Sequence, residues 1–220
     1  AGVTLSYVRP EQQSNKAQLY EISELAAKFF EKQLHGSTVG KEVLAYLRDR
    51  GLTDESIKKF RLGYAPESWQ GLGDFLTRSF KAQDVVDAGL LVRRESGPGQ
   101  YDRFRSRIMF PIFDLNGAIV GFAGRIFMNH ETRNMKHEGE TEPAKYVNTP
   151  QTPIYDKGKL LYGLNFAKLD MRRNNRCLVV EGNVDVIMSH QAGVATAVAS
   201  SGTALTDGHL RIIKRYTDNL

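Results

Sequence analysis

The sequence predicts a mixed α/β protein of multi-subdomain α+β type, with a helical region first and a parallel α/β unit last. Three observations lead there. Apolar residues recur at helical spacing through the first part of the chain, an Asn-Gly pair separates two apolar runs in the middle, and strand and helix patterns alternate near the end. Hydrophobic residues make up 41% of the 220 and charged residues 25%, which suits a folded core and excludes a disordered or fibrous chain. No run approaches about 18 consecutive apolar residues, so no membrane span is expected. The N-terminus lacks a signal-peptide pattern, so an intracellular, soluble protein is expected. Cys177 is the one cysteine, which excludes an internal disulfide framework and any CxxC zinc site within these residues.

Residues 1–16 are polar and aperiodic and read as a linker or tail. From Ala17 a stripe of Leu19, Ile22, Leu25, Ala26, Phe29, Phe30 and Leu34 marks a helix that Gly36 closes. Thr38 is placed to cap a second helix carrying Val43, Leu44 and Leu47. Thr53, with Asp54 and Glu55 behind it, opens a third helix that runs past Ile57 and Phe60 to a turn at 63–66. Helical stretches at 72–80 and 83–88 complete a module of packing residues without a catalytic cluster.

Beyond Gly89 the period changes. The run IMFPIF (108–113), the turn Asp114-Leu115-Asn116-Gly117 and the run 118–127 predict a β-hairpin, with a type I′ turn at Asn116-Gly117. Pro111 points to an edge or a bulge, and Gly121 and Gly124 to a close approach of other groups to the backbone. Residues 128–143 read as a surface loop, where His130 and His137 lack a third ligand, so no metal site is expected there. Strands at 177–180 and 195–199 and helices at 184–191 and 207–216 form a parallel strand–helix–strand–helix unit. Such units collect ligands beyond the carboxyl ends of their strands, where Glu181 and Ser200-Ser201-Gly202 stand.

Charge narrows the function. The formal net charge is +5, but residues 93–176 hold 15 Lys and Arg against 9 Asp and Glu, leaving 15 against 16 elsewhere. A localised basic block suits a polyanion, because each neutralised phosphate releases a counterion. Arg103, Arg105 and Arg107 alternate and, if extended, share one strand face. Arg125 ends the hairpin, and Lys145, Tyr146, Asn148, Tyr155, Lys157 and Lys159 follow. Cations interleaved with aromatics and glycines suit single-stranded nucleic acid or nucleotide; the alternative is a surface lattice of ion pairs with Asp102, Asp114 and Asp156. Glu181, after four apolar residues, and Asp185, four residues on, can serve as base or hard-cation ligands. They read equally as a solvated strand end and a helix cap.

The runs YDRFRSRIMFPIFDLNGAIVGFAGRIF, KYVNTPQTPIYDKGKLLYGLNFAK, LVVEGNVDVIMSHQAG and AVASSGTALTDGHLRIIKRY resemble the bacterial DnaG-type primase, in the same order and with similar spacing. RGLTDESIKKFRLGYAP in the helical region fits as well, so the resemblance covers about residues 17–220. It implies that 17–174 form the N-terminal subdomain of the primase RNA polymerase core, with a helical part (17–89) and a basic mixed α/β part (90–174). Residues 175–220 would form the first half of a Toprim subdomain. The implied activity is that of a DNA-directed RNA polymerase, a nucleotidyltransferase that makes short RNA primers on a single-stranded DNA template from ribonucleoside triphosphates. It acts in DNA replication, within the primosome, in the bacterial cytoplasm at the fork.

By the same resemblance Glu181 matches the Toprim glutamate that holds the catalytic metal or acts as base, and Asp185 the aspartate of that motif. Arg103, Arg125, Lys145, Tyr146 and Lys157 match residues associated with template or nucleotide phosphates, and Arg105 and Asn148 are grouped with them. The implied cofactor is Mg²⁺ or Mn²⁺ in the intact enzyme, with zinc confined to a separate N-terminal domain absent from this chain. A monomer is expected, and a helicase-contacting C-terminal domain is expected to be missing. The chain stops at Leu220 before the family's DxD acids, so a piece inactive by itself is expected. Asn183-Val184 replaces the usual aromatic-Met pair, a change expected to touch packing rather than charge. Two alternatives stay open: another Toprim enzyme, such as a type IA topoisomerase or a recombination mediator, or a non-catalytic binding module for single-stranded nucleic acid.

Overall fold

A computed structural model describes residues 10–95, 97–127, 143–202 and 204–220. His130 and His137 lie outside the described residues, as does nearly all of the loop expected at 128–143. Helix α1 (Pro10–Gly36) starts earlier than its apolar stripe suggests. Pro10 stands in its first turn, where a missing N–H goes unused. Leu19, Ile22, Ala26, Phe30 and Leu34 are buried along one side. Helix α2 (Thr38–Asp49) is capped by Ser37 rather than Thr38, the Ser37 hydroxyl accepting from the Gly40 N–H at 2.9 Å. Helix α3 (Asp54–Lys59) is capped by Thr53 as expected, at 3.2 Å from the Ser56 N–H.

The turn expected at 63–66 is instead strand β1 (Gly63–Ala65), so the first module is not purely helical. Helices α4 (Gly71–Leu76) and α5 (Ala82–Asp87) lead to a small antiparallel pair, β2 (Leu91–Arg93) and β3 (Gln100–Asp102). The central hairpin is β4 (Arg107–Phe113) and β5 (Ile119–Ile126), and β6 (Tyr146–Asn148) pairs with β5. The resulting four-stranded antiparallel sheet has the order β1-β4-β5-β6. Helix α6 (Leu164–Asn174) precedes the parallel unit of β7 (Leu178–Val180), α7 (Asn183–Gln191), β8 (Ala197–Ala199) and α8 (Asp207–Ile213). Main-chain bonds between Tyr162 and Ala199, 2.8 and 3.1 Å long, join the segment before α6 to β8.

The hairpin turn departs from type I′. Gly117 adopts φ 86°, but Asn116 is not among the positive-φ residues. The Asp114 carboxylate accepts from the N–H groups of Asn116 (2.8 Å) and Ala118 (2.9 Å), which lets a single left-handed residue close the turn. Pro111 sits on an interior strand yet beyond the end of β1, which pairs only with 107–109, so no partner needs its missing N–H. The β4–β5 ladder skips Val120, putting Ile119 and Phe122 on one face with α1 and Val120 and Ala123 on the other. Both faces of β4 are covered, which explains why all seven of its residues are buried.

Arg61, at φ 55°, ties α1 to the turn before β1. Its guanidinium donates to Glu24 (2.7 and 3.0 Å) and Glu31 (2.8 and 3.1 Å). The Arg61 hydrogen bond holds the Glu24 carboxyl below its usual range. Arg61→Ala is expected to lower stability by about 1–2 kcal/mol in urea unfolding, since these paired contacts are only half-buried. A carboxyl whose folded pKa is depressed contributes fully above its unfolded value and loses that contribution as pH falls through the folded one. The difference between wild type and Arg61→Ala should therefore be widest near neutral pH and close as the pH drops below the glutamate range.

Candidate functional site

Register gathers three of the expected residues on one sheet face. Across β5 and β6, Tyr146 pairs with Arg125 and Asn148 with Ala123, while Arg125 pairs with Ile108 of β4. Ile108 and Ala123 belong to the core shared with α2 and α7, so this face looks away from α1. A cavity of about 170 Å³ opens there. Tyr46 and Arg50 from the end of α2, Arg125, Lys145 and Tyr146 from the sheet side, and Gly182 and Asp185 from the start of α7 line it.

The two walls carry opposite charge. The Arg125 guanidinium lies 5.5 Å from the Tyr46 ring centroid. Tyr146 is 41% exposed, and partial burial, with the nearby Asp185, pushes its phenol up against the opposing pull of Arg125. Lys145 is exposed. Among the described residues no carboxylate forms an ion pair with Arg125, Lys145 or Lys157. Glu181, exposed just past the end of β7 with no hydrogen bond to the described residues, does not itself line the cavity, although its neighbour Gly182 does. Asp185 accepts from the Gly182 N–H at 3.0 Å and so caps α7 while lining the cavity; the functional and capping readings of this residue both hold geometrically.

No group of three or more His, Cys, Asp or Glu side chains among the described residues could hold a metal ion. The donors present, one unengaged carboxylate and one shared with a helix cap, suit a hard cation that takes one or two carboxylates and fills its remaining positions with phosphate oxygens and water. They do not suit zinc, which favours His and Cys. Cys177 is buried, and burial pushes its thiol up to about 11.

Asn148 turns toward the parallel unit. Its amide donates to the Ser201 carbonyl at 3.1 Å, and the Ser201 hydroxyl donates to Asn183 Oδ1 at 2.5 Å. Ser201 adopts φ 54°, and the Asn148 Oδ1 is buried without a protein partner. Asn183 is therefore a hydrogen-bond acceptor as well as a packing residue.

The remaining expected residues lie elsewhere. Ser106 at φ 50° breaks the extended run, so Arg103, Arg105 and Arg107 do not share a strand face. Arg103 donates to the Gly89 carbonyl at 2.7 Å, and burial lowers its pKa. Arg107 is buried and donates to the carbonyls of Gly124 (3.0 Å), Ala144 (2.9 Å) and Lys145 (3.4 Å). It serves as a main-chain cross-link that holds Lys145 and Tyr146 at the cavity. Arg105 bonds the Asp102 carbonyl and stacks over Trp69 (4.0 Å) and Tyr101 (5.1 Å). Lys157 does not line the cavity; its carbonyl accepts from His209. Among the described residues, of the acids proposed as surface partners only Asp156 forms an ion pair, with Lys159 at 2.9 Å. Asp102 is buried and accepts from the N–H groups of Leu72 and Gly73, both at 2.8 Å, and Asp114 shapes the hairpin turn.

Sequence reasoning passed over Tyr46, Arg50 and Trp69. Tyr46 and Arg50 stand four apart at the end of α2, a spacing that puts them on one helix face. Trp69, the only tryptophan, is 59% exposed, and its place in a polar turn was the available signal. Gly121 and Gly124 are approached by the protein's own side chains, Thr149 and Tyr155 at the first, Phe104 and Arg107 at the second.

A family model described as the DNA primase catalytic core, N-terminal domain, matches residues 29–168, and a Toprim domain model matches 175–219. The DNA primase of Synechococcus elongatus is 42% identical over 211 residues, covering 94% of this chain and 28% of that protein. The chain thus spans about a third or less of the length of the curated relatives it matches. Among solved structures, the RNA polymerase domain of Mycobacterium tuberculosis primase DnaG superposes with a TM-score of 0.81 at 34% identity, over 93% of this chain and 62% of that one. A DnaG primase catalytic domain bound to single-stranded DNA superposes with a TM-score of 0.81 at 36% identity, over 94% and 61%. No helix among the described residues is long and apolar enough to cross a membrane.

Arg107→Met removes the side-chain donor from the Gly124, Ala144 and Lys145 carbonyls, of which that of Lys145 keeps the Ile126 N–H at 2.9 Å. It is expected to cost about 1–3 kcal/mol in urea unfolding. Amide exchange at 146–148 should speed up at the same time.

Proposed function

This chain belongs to the DnaG-type DNA primase family, and on that premise we propose that it supplies the template- and nucleotide-facing part of an enzyme that makes short RNA primers on single-stranded DNA. One observation carries this reading. Arg125 and Lys145, without an ion pair among the described residues, line one cavity together with Tyr146 and Asp185, and Glu181 stands next in sequence to the lining residue Gly182. Cations for phosphates, a flat ring and available carboxylates are what nucleotidyl transfer on a polynucleotide requires.

In the proposed reaction the 3′-hydroxyl oxygen of the growing RNA bonds to the α-phosphorus of an incoming ribonucleoside triphosphate. The bond from that phosphorus to the bridging oxygen breaks, pyrophosphate leaves, and the hydroxyl proton passes to solvent or a nearby base. Arg125, Lys145 and Lys157 neutralise phosphate charge, Tyr146 offers a face for a base, and Asn148 orients the wall by its bond to Ser201. Glu181, with Asp185, would hold Mg²⁺ or Mn²⁺. That cation supplies charge stabilisation of the leaving pyrophosphate. Arg103 takes no part in this scheme beyond fixing its own loop, and Arg105 contributes through its stack with Trp69. Residues 17–174 are assigned to the N-terminal subdomain and 175–220 to the Toprim unit. The enzyme would act as a monomer in the cytoplasm at the replication fork, beside the replicative helicase.

Two measurements test the proposal. Affinity of the chain for a single-stranded oligonucleotide should fall steeply with salt, and Lys145→Ala should reduce the slope of log affinity against log salt by about 0.7–1. Affinity that stays constant between low and moderate salt would overturn the phosphate role. In the enzyme containing this chain, Glu181→Gln should abolish primer synthesis while oligonucleotide affinity is retained, whereas Lys145→Ala should mainly weaken binding. The reverse pattern would exchange the two roles.

A further inference from the structure

His209 is fully buried, yet no step proposed above uses it. Its two ring nitrogens have distinct partners. The Thr206 N–H donates to Nδ1 at 3.2 Å, which leaves Nδ1 unprotonated and the proton on Nε2. That Nε2–H then donates to the Lys157 carbonyl at 3.0 Å. The Thr206 hydroxyl accepts from the His209 N–H at 3.1 Å and donates to the next carbonyl, that of Gly158, at 2.7 Å. Gly208 completes the grip, because a Cβ there would come within 2.5 Å of the same Gly158 oxygen. Two consecutive peptide groups of the Asp156-Lys157-Gly158-Lys159 loop are thus pinned from the start of α8.

The loop's two lysines differ. Lys159 is neutralised by Asp156 at 2.9 Å, while Lys157 has no ion-pair partner among the described residues. The clamp grips the Lys157 main chain and leaves its ammonium unengaged. We propose that Thr206 and His209 are positioning residues that hold Lys157 for a phosphate, either of the template strand or of a nucleotide. This rests on the reading of Lys157 as a phosphate contact given above.

The test is a double-mutant cycle on the whole chain, with two ligands. One is a fluorescein-labelled dT20 oligonucleotide followed by anisotropy, the other ATP with Mg²⁺ followed by calorimetry. Lys157→Ala is expected to weaken at least one ligand by about three- to tenfold, the size of one exposed charge contact. The responding arm identifies the phosphate as template or nucleotide. His209→Asn keeps an acceptor near the Thr206 N–H but loses the donor to Lys157, and should weaken the same ligand to a similar extent. The pair Lys157→Ala with His209→Asn should be no weaker than Lys157→Ala alone. His209→Gln, which can keep the Nε2-like donor, should bind within about twofold of wild type.

Losses that add in the double variant, or His209→Asn binding like wild type while Lys157→Ala is weakened, overturn the positioning inference and leave the role of Lys157 standing. No effect of Lys157→Ala in either arm overturns both. Should His209→Asn fail to fold by circular dichroism, Thr206→Val, which removes only the hydroxyl bonds, takes its place in the cycle with the same outcomes.

Discussion

Phe30 rests directly on the main chain of Gly63, and the rest of the architecture follows from how closely α1 lies on the sheet at that point. A Cβ at Gly63 would stand 2.5 Å from the Phe30 Cβ and 2.8 Å from its carbonyl carbon. The same phenylalanine meets Phe122 of β5 edge-on, with centroids 5.4 Å apart. One side chain therefore contacts both an outer and an inner strand, and sets the height of the helix above them. Overpacking here would displace the longest helix from the sheet. Gly40 permits a similar closeness further on, since a Cβ there would come within 2.5 Å of the Leu34 carbonyl oxygen. The chain can reverse sharply into α2, and α2 then crosses to the sheet's other face, where its last turn carries Tyr46 and Arg50 to the cavity.

The two kinds of sheet divide the chemistry between them. The antiparallel sheet presents one cation, an aromatic ring and an amide on one face because the β5–β6 register aligns Arg125, Tyr146 and Asn148. The parallel pair presents carboxylates because residues after the end of β7 turn into the start of α7, where a negative charge is favoured. Neither half alone lines the whole cavity. The joint between them depends on Asn148 with Ser201, His209 and Thr206 with the 157–158 peptides, and the Tyr162–Ala199 bridge. Arg107 acts one layer below, fixing the main chain that delivers Lys145.

Much of this was legible from the order of residues. The stripe in α1, the Thr53 cap and the strand–helix alternation at the end all express local rules, and the structure follows them; Asn116-Gly117 marks the reversal but not its turn type. The gathering of Arg125, Tyr146 and Asp185 around one cavity comes instead from the β5–β6 register and the seating of α7, which local pattern does not carry. What sequence did not reveal depends on long-range geometry. β1 is three residues long and exists only because β4 offers it an edge. The alternating arginines looked like a charged face because alternation was read as extension, while Ser106 turns left-handed and sends each guanidinium to a different carbonyl or ring. Ser37 displaced Thr38 as a cap by one residue, the scale on which boundaries are least determined by pattern. Arg50 and Trp69 went unnoticed because a polar residue at a helix end or in a turn has many ordinary explanations.

The clamp around Lys157 and Gly158 has an evolutionary corollary. His209 and Thr206 grip carbonyl oxygens, which every residue type possesses, so the identity of the gripping side chains is constrained while that of the lysine side chain is not. A substitution at 157 would alter what the loop recognises without altering where the loop sits. The tight position is Gly208 on the α8 side, where a Cβ would stand 2.5 Å from the Gly158 carbonyl oxygen. Support and the proposed recognition are thereby encoded in two segments about 50 residues apart along the chain.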